Sequence, residues 1–267
     1  KGKEAIEEAF NSVRVGQKIQ ESQGSAIHYL VGMAIKDIGL KSTQFVAVRA
    51  SLTSDELSNY AKYLNDFTEN RKGLVFARKD EYAMILSALD LIVKGLAGEI
   101  PMSPAAKEYI AAGGDYSKLK LDNFYFQPNR TKLLYAESAR RSIDVINQAC
   151  WQRDDEGSQK SSSMTWLQVI KAYFTQNAVG EILSGVTEKS LSSLPKKSCD
   201  EEALVSATQT ILGIKAFKND TGNSPQSLDE LVPEYLSSIP VDPYDGKPLK
   251  YSREKKVVYS IGKDKKD

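Results

Sequence analysis

The chain has 267 residues, 41% hydrophobic and 27% charged, enough apolar side chains to bury the core of one large domain or two modest ones and too many for a disordered chain. Thirty-six Lys and Arg stand against thirty-five Asp and Glu, a net charge of +1, so no overall field gathers nucleic acid or an anionic membrane surface.

Read for periodicity, the first two-thirds is helical. Ile6, Phe10, Val13 and Ile19 recur at helical spacing across residues 3–23, and Gly24 supplies a stop. A second helix carries Ile27, Leu30, Val31, Ala34, Ile35 and Ile38 as a broad apolar stripe and is expected to end at Gly39, with Phe45, Val46 and Val48 in a third segment. Thr53 and Glu56 have the spacing of a capping box ahead of a helix that buries Leu57, Tyr60, Ala61, Leu64 and Phe67. Residues 74–93 form the next helix. Its apolar run at residues 83–93 is about half of what a membrane span needs and is interrupted by Ser87 and Asp90, which makes it a core helix.

Gly95, Gly98, Pro101 and Pro104 then break the chain, and residues 113–128 read as a packed aromatic loop. A helix follows over residues 129–150 with Leu133, Ala136, Ile143 and Ile146 on one side. The charged and serine-rich run at 153–163 reads as a mobile loop, and a helix over 164–185 carries Trp166, Leu167, Ile170, Phe174 and Ile182. No repeat period joins these helices, which argues against a regular tetratricopeptide-like array and favours an irregular multi-helix domain over residues 1–197, with a solenoid as the second reading.

Cys150 and Cys199 both fall near helix ends. Paired, they would close a loop of about fifty residues and contribute about 4 kcal/mol in the loop-entropy description; unpaired, they are two small hydrophobes, and the sequence leaves both open.

Catalytic constellations are scarce. His28, the one histidine, lies beside Ile27, Leu30 and Val31 and reads as a structural residue at the edge of a core. No P-loop, GxGxxG, HExxH or CxxC pair is present. Glu81, beside Arg78, Lys79 and Asp80 at the start of the apolar run, is the best carboxylate for general acid work, with Asp90 as its companion in a hydrolase lined by some of the thirteen tyrosines and eight phenylalanines. The plainer reading is a solvated helix start with ion pairs at helical spacing. No residue is assigned a catalytic, cofactor-binding or metal-binding role with this set.

Residues 198–267 are the most ordered in pattern. Ser198 and Glu201 have capping-box spacing, a helix runs through Leu204, Ala207, Ile211, Ile214 and Phe217, and Gly222 ends it. Ser227 is placed to cap a single turn that sets Leu228, Leu231 and Val232 against that helix. Pro233, Pro240, Pro243 and Pro248 hold an extended path, Asp245 and Gly246 form a turn, and Leu249, Tyr251, Val257, Tyr259 and Ile261 alternate as two strands around a polar turn at 253–256. The fold class is mainly α, with a C-terminal helix and a small antiparallel hairpin that must pack on its neighbours.

That order of residues, with Asp220 and Gly222, then residues 239–246 and 259–264 in place, resembles the C-terminal part of the major pseudopilins of type II secretion and their type IV pilin relatives. The chain as a whole looks like a group of uncharacterised bacterial exported proteins that carry YLVGMAIKDIGL early, FQPNRT midway and QNAVGEIL late. The resemblance implies a bacterial source, export, and anchoring by an N-terminal segment ahead of Lys1. In major pseudopilins the final loop binds calcium, which points to Asp264 and Asp267 with Ser260 nearby. The resemblance carries no activity; together with the absence of a complete catalytic set it favours a non-enzymatic envelope protein that binds another protein or a cell-envelope component and touches a membrane only through that preceding segment, while the balanced charge argues against nucleic acid. The carboxylate hydrolase is the alternative.

Overall fold

A computed structural model of the chain describes residues 1–67, 71–97, 99–101, 104, 124–153 and 175–264. The expected loop at 113–123, most of the run at 153–163, the helical pattern at 164–174 and Asp267 lie outside them. The described elements are α1 (Gly2–Glu21), α2 (Ala26–Arg49), α3 (Ser54–Tyr63), α4 (Arg71–Leu96), α5 (Pro128–Asn147), α6 (Ala178–Leu191), α7 (Leu194–Thr221), β1 (Lys250–Ser252) and β2 (Val257–Tyr259), with short 3-10 turns at Leu64–Phe67, Cys150–Gln152 and Leu228–Leu231. The protein is mainly α with one small antiparallel sheet, as the sequence pattern requires.

The boundary expected at residue 197 falls inside α7. Two compact units form instead, one from Lys1–Ala77, Ile146–Arg153 and Leu194–Asp267, the other from Arg78–Val145 and Asp154–Ser193. The tail thus belongs to the same unit as the N-terminal helices.

In the first unit, α1 and α2 form an antiparallel hairpin with unusually close backbones. A Cβ on Gly16 would stand 2.5 Å from the Gly32 carbonyl oxygen, and one on Gly39 would stand 2.6 Å from the Val13 nitrogen. Gly39 therefore does not end a helix: α2 is continuous to Arg49, and this glycine marks where α1 crosses it. The closeness also decides which face is inside. Tyr29, Gly32, Lys36, Gly39, Leu40, Thr43 and Ala47 are buried, whereas Ile27, Val31 and Ile38 from the expected stripe are exposed, as are Phe45 and Val48. Glycines hold the points of closest approach because larger residues there would keep the two backbones apart.

Helix α3 begins with the expected capping box: the Glu56 amide donates to Thr53 Oγ1 at 3.2 Å and the Thr53 amide donates to Glu56 Oε2 at 3.1 Å. Both α2 and α3 pack on α7. The resulting core joins Ile6, Phe10 and Val13 of α1 with Leu40, Leu57, Leu64, Val205, Leu212 and the tail residues Leu231 and Leu236. Helix α7 starts at Leu194, four residues before the expected box, because Pro195 is suited to a first helical turn. Ser198 accordingly lies within the helix, its hydroxyl donating to the Pro195 carbonyl at 2.8 Å. Gly222, at φ +75°, closes α7 with its amide donating to the Lys218 carbonyl at 2.9 Å.

The hairpin forms around the expected turn at 253–256, with Tyr251 opposite Val258 and Ser252 opposite Val257. Ser227 precedes the expected turn, and its hydroxyl donates to Asp229 Oδ2 at 3.0 Å rather than capping the turn's backbone.

In the second unit, Leu89, Phe126 and Tyr135 form a core with Tyr82, Ile85, Ile92, Val179 and Leu183. The expected core helix at 83–93 is half right, since Met84 and Leu91 are exposed. Helix α6 runs past Gly185, which meets nothing within 4 Å. Among the described residues no helix is long and apolar enough to cross a membrane.

The two kinds of glycine separate cleanly by experiment. Gly16→Ala is expected to lower stability by about 1–3 kcal/mol through overpacking, whereas Gly185→Ala, in open helix, should raise it by about 0.5–1 kcal/mol; urea denaturation followed by circular dichroism reads both.

Candidate functional site

Three of the polar constellations buried among the described residues join separate stretches of chain at a single group. The deepest lies in the first unit, where α2 presents Lys36 to α1 and α7. Lys36 is 1% exposed and Glu201 8% exposed. The ammonium donates to Gln17 Oε1 at 2.7 Å and to the Phe67 carbonyl at 3.3 Å, and stands 3.4 Å from Glu201 Oε1. Gln20 Nε2 donates to the other carboxylate oxygen of Glu201 at 2.9 Å. Burial pulls the Lys36 pKa down, and the Glu201 carboxylate opposes that shift. Burial likewise pushes up the phenol of neighbouring Tyr29, with Glu201 and Glu202 adding to the effect.

A desolvated, weakened ammonium beside a carboxylate is the composition of many proton-transfer sites. The space around it is decisive here. The cavity lined by Tyr29, Lys36, Phe67, Arg71, Ser198 and Glu201 is about 10 Å³, room for about one water molecule and no substrate. The arrangement binds helices to one another.

Next to it, Cys150 and Cys199 are joined in a disulfide, with Cα atoms 5.8 Å apart. Arg153 reinforces the join. Its guanidinium donates to the Pro195 carbonyl at 2.6 Å, the Ile146 carbonyl at 3.0 Å and the Gln148 carbonyl at 3.2 Å, so the end of α5 and the first turn of α7 share one cation.

The second constellation is in the tail. Asp242, 1% exposed, accepts from the Tyr244 amide at 2.9 Å, the Ser260 hydroxyl at 2.9 Å and the Ile261 amide at 2.8 Å. One carboxylate thereby fixes both its own turn and the irregular stretch that follows β2. Gly246 closes the turn under the Trp151 ring, 3.0 Å from where a Cβ would sit. Asp220 receives the hydroxyls of Ser54 and Tyr235, which ties the end of α7 to α3 and to the tail loop.

The third is in the second unit and joins two of the sequence motifs. Asn177, fully buried at φ 61°, accepts from the Gln127 amide at 2.8 Å and Thr131 Oγ1 at 2.9 Å, and its own amide donates to the Phe124 carbonyl at 2.7 Å. FQPNRT and QNAVGEIL are two halves of one hydrogen-bonded corner, and Gly180 leaves space for it.

The sequence-predicted candidates are dispersed. His28 is exposed rather than at a core edge, with Nε2 2.7 Å from the Ser22 hydroxyl. Glu81 is half-buried and Asp90 is exposed and paired with Lys132. Nine residues apart on α4, the two carboxylates point to opposite sides of the helix, about 13 Å apart along its axis, so no catalytic pair forms. Ser260 is occupied by Asp242 and by the Gly262 amide at 2.9 Å, and Asp264 is exposed. Among the described residues no three His, Cys, Asp or Glu side chains come together to hold a metal.

Lys36 and Glu201 escaped the sequence reading, although a signal exists. Lys36 sits at helical spacing from Tyr29, Gly32, Gly39 and Leu40, a lysine on a face otherwise made for close packing. The fold and this site define a mainly α protein whose polar clusters hold its own elements together. Compared with protein-family models, with curated proteins and with solved structures, the chain matches none.

Removing one partner of the buried pair should be worse than removing both. Glu201→Leu alone is expected to cost about 3–5 kcal/mol, and adding Lys36→Met should return most of it; a double-mutant cycle from urea denaturation midpoints measures the difference.

Proposed function

We propose that this chain is a non-enzymatic, exported bacterial envelope protein that acts as a binding or assembly module. The observation that carries the reading is the Cys150–Cys199 disulfide. Both cysteines are buried, and the bond closes a loop of sequence separation 49 inside the core of the first unit. Such bonds form and persist in oxidising compartments such as the periplasm and are rare where thiols are kept reduced. The resemblance of residues 198–267 to the major pseudopilin tail supports the same location and an anchor ahead of Lys1.

The binding role is supported by what the polar groups are used for. Lys36, Glu201, Asp242 and Asn177 spend their hydrogen bonds on the protein itself, and the cavity beside Lys36 is about 10 Å³. The large exposed apolar side chains, Ile27, Ile38, Phe45 and Val48 among them, offer surface to a partner instead. Glu81 and Asp90, the carboxylates of the hydrolase alternative, stand on opposite sides of α4.

Expressed from its full gene, the protein should fractionate with the envelope and carry no titratable thiol until reduced. A cytoplasmic product with two free thiols would refute the reading. In purified protein, Cys150→Ser with Cys199→Ser should cost up to about 4 kcal/mol, read as a lower thermal midpoint that reducing agent reproduces in the wild type.

A further inference from the structure

The exposed apolar residues of α2 are ordered. Ile27, Val31, Ala34, Ile38, Lys41, Phe45 and Val48 follow one another in alternating steps of four and three along the 24-residue helix, the spacing of a coiled-coil seam. Ile27 is 72% exposed, Val31 49%, Ile38 63%, Phe45 58% and Val48 57%, and the guanidinium of Arg49 in the same helix lies 3.8 Å over the Phe45 ring. The opposite face of the same helix is the glycine-lined one that meets α1. Helix α2 thus has two faces, and among the described residues one of them carries the packing against α1 and α7.

We infer that this seam pairs antiparallel with α2 of a second copy of this chain. The argument for a copy is self-complementarity. Placed about a two-fold axis at the level between residues 39 and 40, the seam sets Val31 against Val48, Ala34 against Phe45 and Ile38 against Lys41 of the other copy. The smallest seam residue meets the largest, which keeps the layer filled. Lys41 also comes within one residue's rise, about 1.5 Å along the axis, of the level of Asp37 in the second copy. Asp37 and Lys41 are exposed and paired at 2.7 Å within one helix, so the two-fold doubles that pair into a four-charge cluster of alternating sign. A parallel pairing would put Lys41 on Lys41 and Ala34 on Ala34, a like-charge contact beside a void. The two-fold arrangement is isologous and closes at two chains.

The inference rests on the binding role proposed above but not on export, so the two fail separately: a reduced cytoplasmic protein that dimerises refutes export alone, and an oxidised envelope protein that does not dimerise refutes the pairing alone. Sedimentation velocity on the purified disulfide-bonded protein should show the mass of two chains, dissociating on dilution. Ile38→Glu and Phe45→Glu, at exposed positions, should give single chains with an unchanged thermal midpoint. Asp37→Lys and Lys41→Asp should each be monomeric alone and form a heterodimer when mixed, since one then carries two cations and the other two anions at the crossing. A wild type that stays a single chain at its highest soluble concentration would overturn the proposal. So would a dimer that persists in Ile38→Glu and Phe45→Glu, or charge variants that do not associate on mixing.

Discussion

The contact on which most of the first unit depends is the buried ion pair of Lys36 and Glu201. A lysine ammonium in a nearly dry interior is tolerable only with opposite charge and hydrogen-bond acceptors on several sides. Those come from three separate stretches of chain: Gln17 from α1, the Phe67 carbonyl from the turn after α3, and Glu201 from α7. Each of these elements is thereby fixed in rotation and in height against α2. A hydrophobic residue at 36 would tolerate sliding; a cation with a short list of partners does not.

This changes how the tail is understood. Read as sequence, residues 198–267 look like a separable module appended to a helical domain. In the folded protein Val205, Leu212, Leu231 and Leu236 share one core with Ile6, Phe10 and Leu40, and the Gln209 amide reaches the Ala61 carbonyl at 3.0 Å. The tail motifs keep local meaning all the same. Asp242 organises its turn and the end of the hairpin, and Gly222 closes α7. A short motif can thus survive intact while the surface it packs against belongs to another part of the chain.

What the sequence made legible was local chemistry with fixed spacing. The Thr53 and Glu56 box, the hairpin turn at residues 253–256 and the stop at Gly222 all rest on hydrogen bonds between near neighbours. What it obscured was the choice between two faces of one helix. On α2 Ile27, Ile38, Phe45 and Val48 point outward while Gly32, Lys36, Gly39 and Thr43 point inward, because close backbone approach outweighed side-chain volume there. Ser198 and Glu201 have the spacing of a cap but lie inside α7, where Ser198 bonds the Pro195 carbonyl and Glu201 reaches α1 and α2. Asn177 falls within QNAVGEIL, yet its partners lie some fifty residues earlier, at a range that spacing does not reveal.

The order in which the chain is made then acquires a significance of its own. The first unit opens with residue 1 and is completed only by the last stretch from Leu194 onward, with the second unit's segments in between; Gln20 and Glu201 are 181 residues apart. During synthesis the α1 and α2 hairpin therefore holds a lysine that cannot be comfortably buried until α7 arrives. The buried pair thus ties the N-terminal hairpin to a helix laid down some 180 residues later, so local opening of either element exposes the charge of the other.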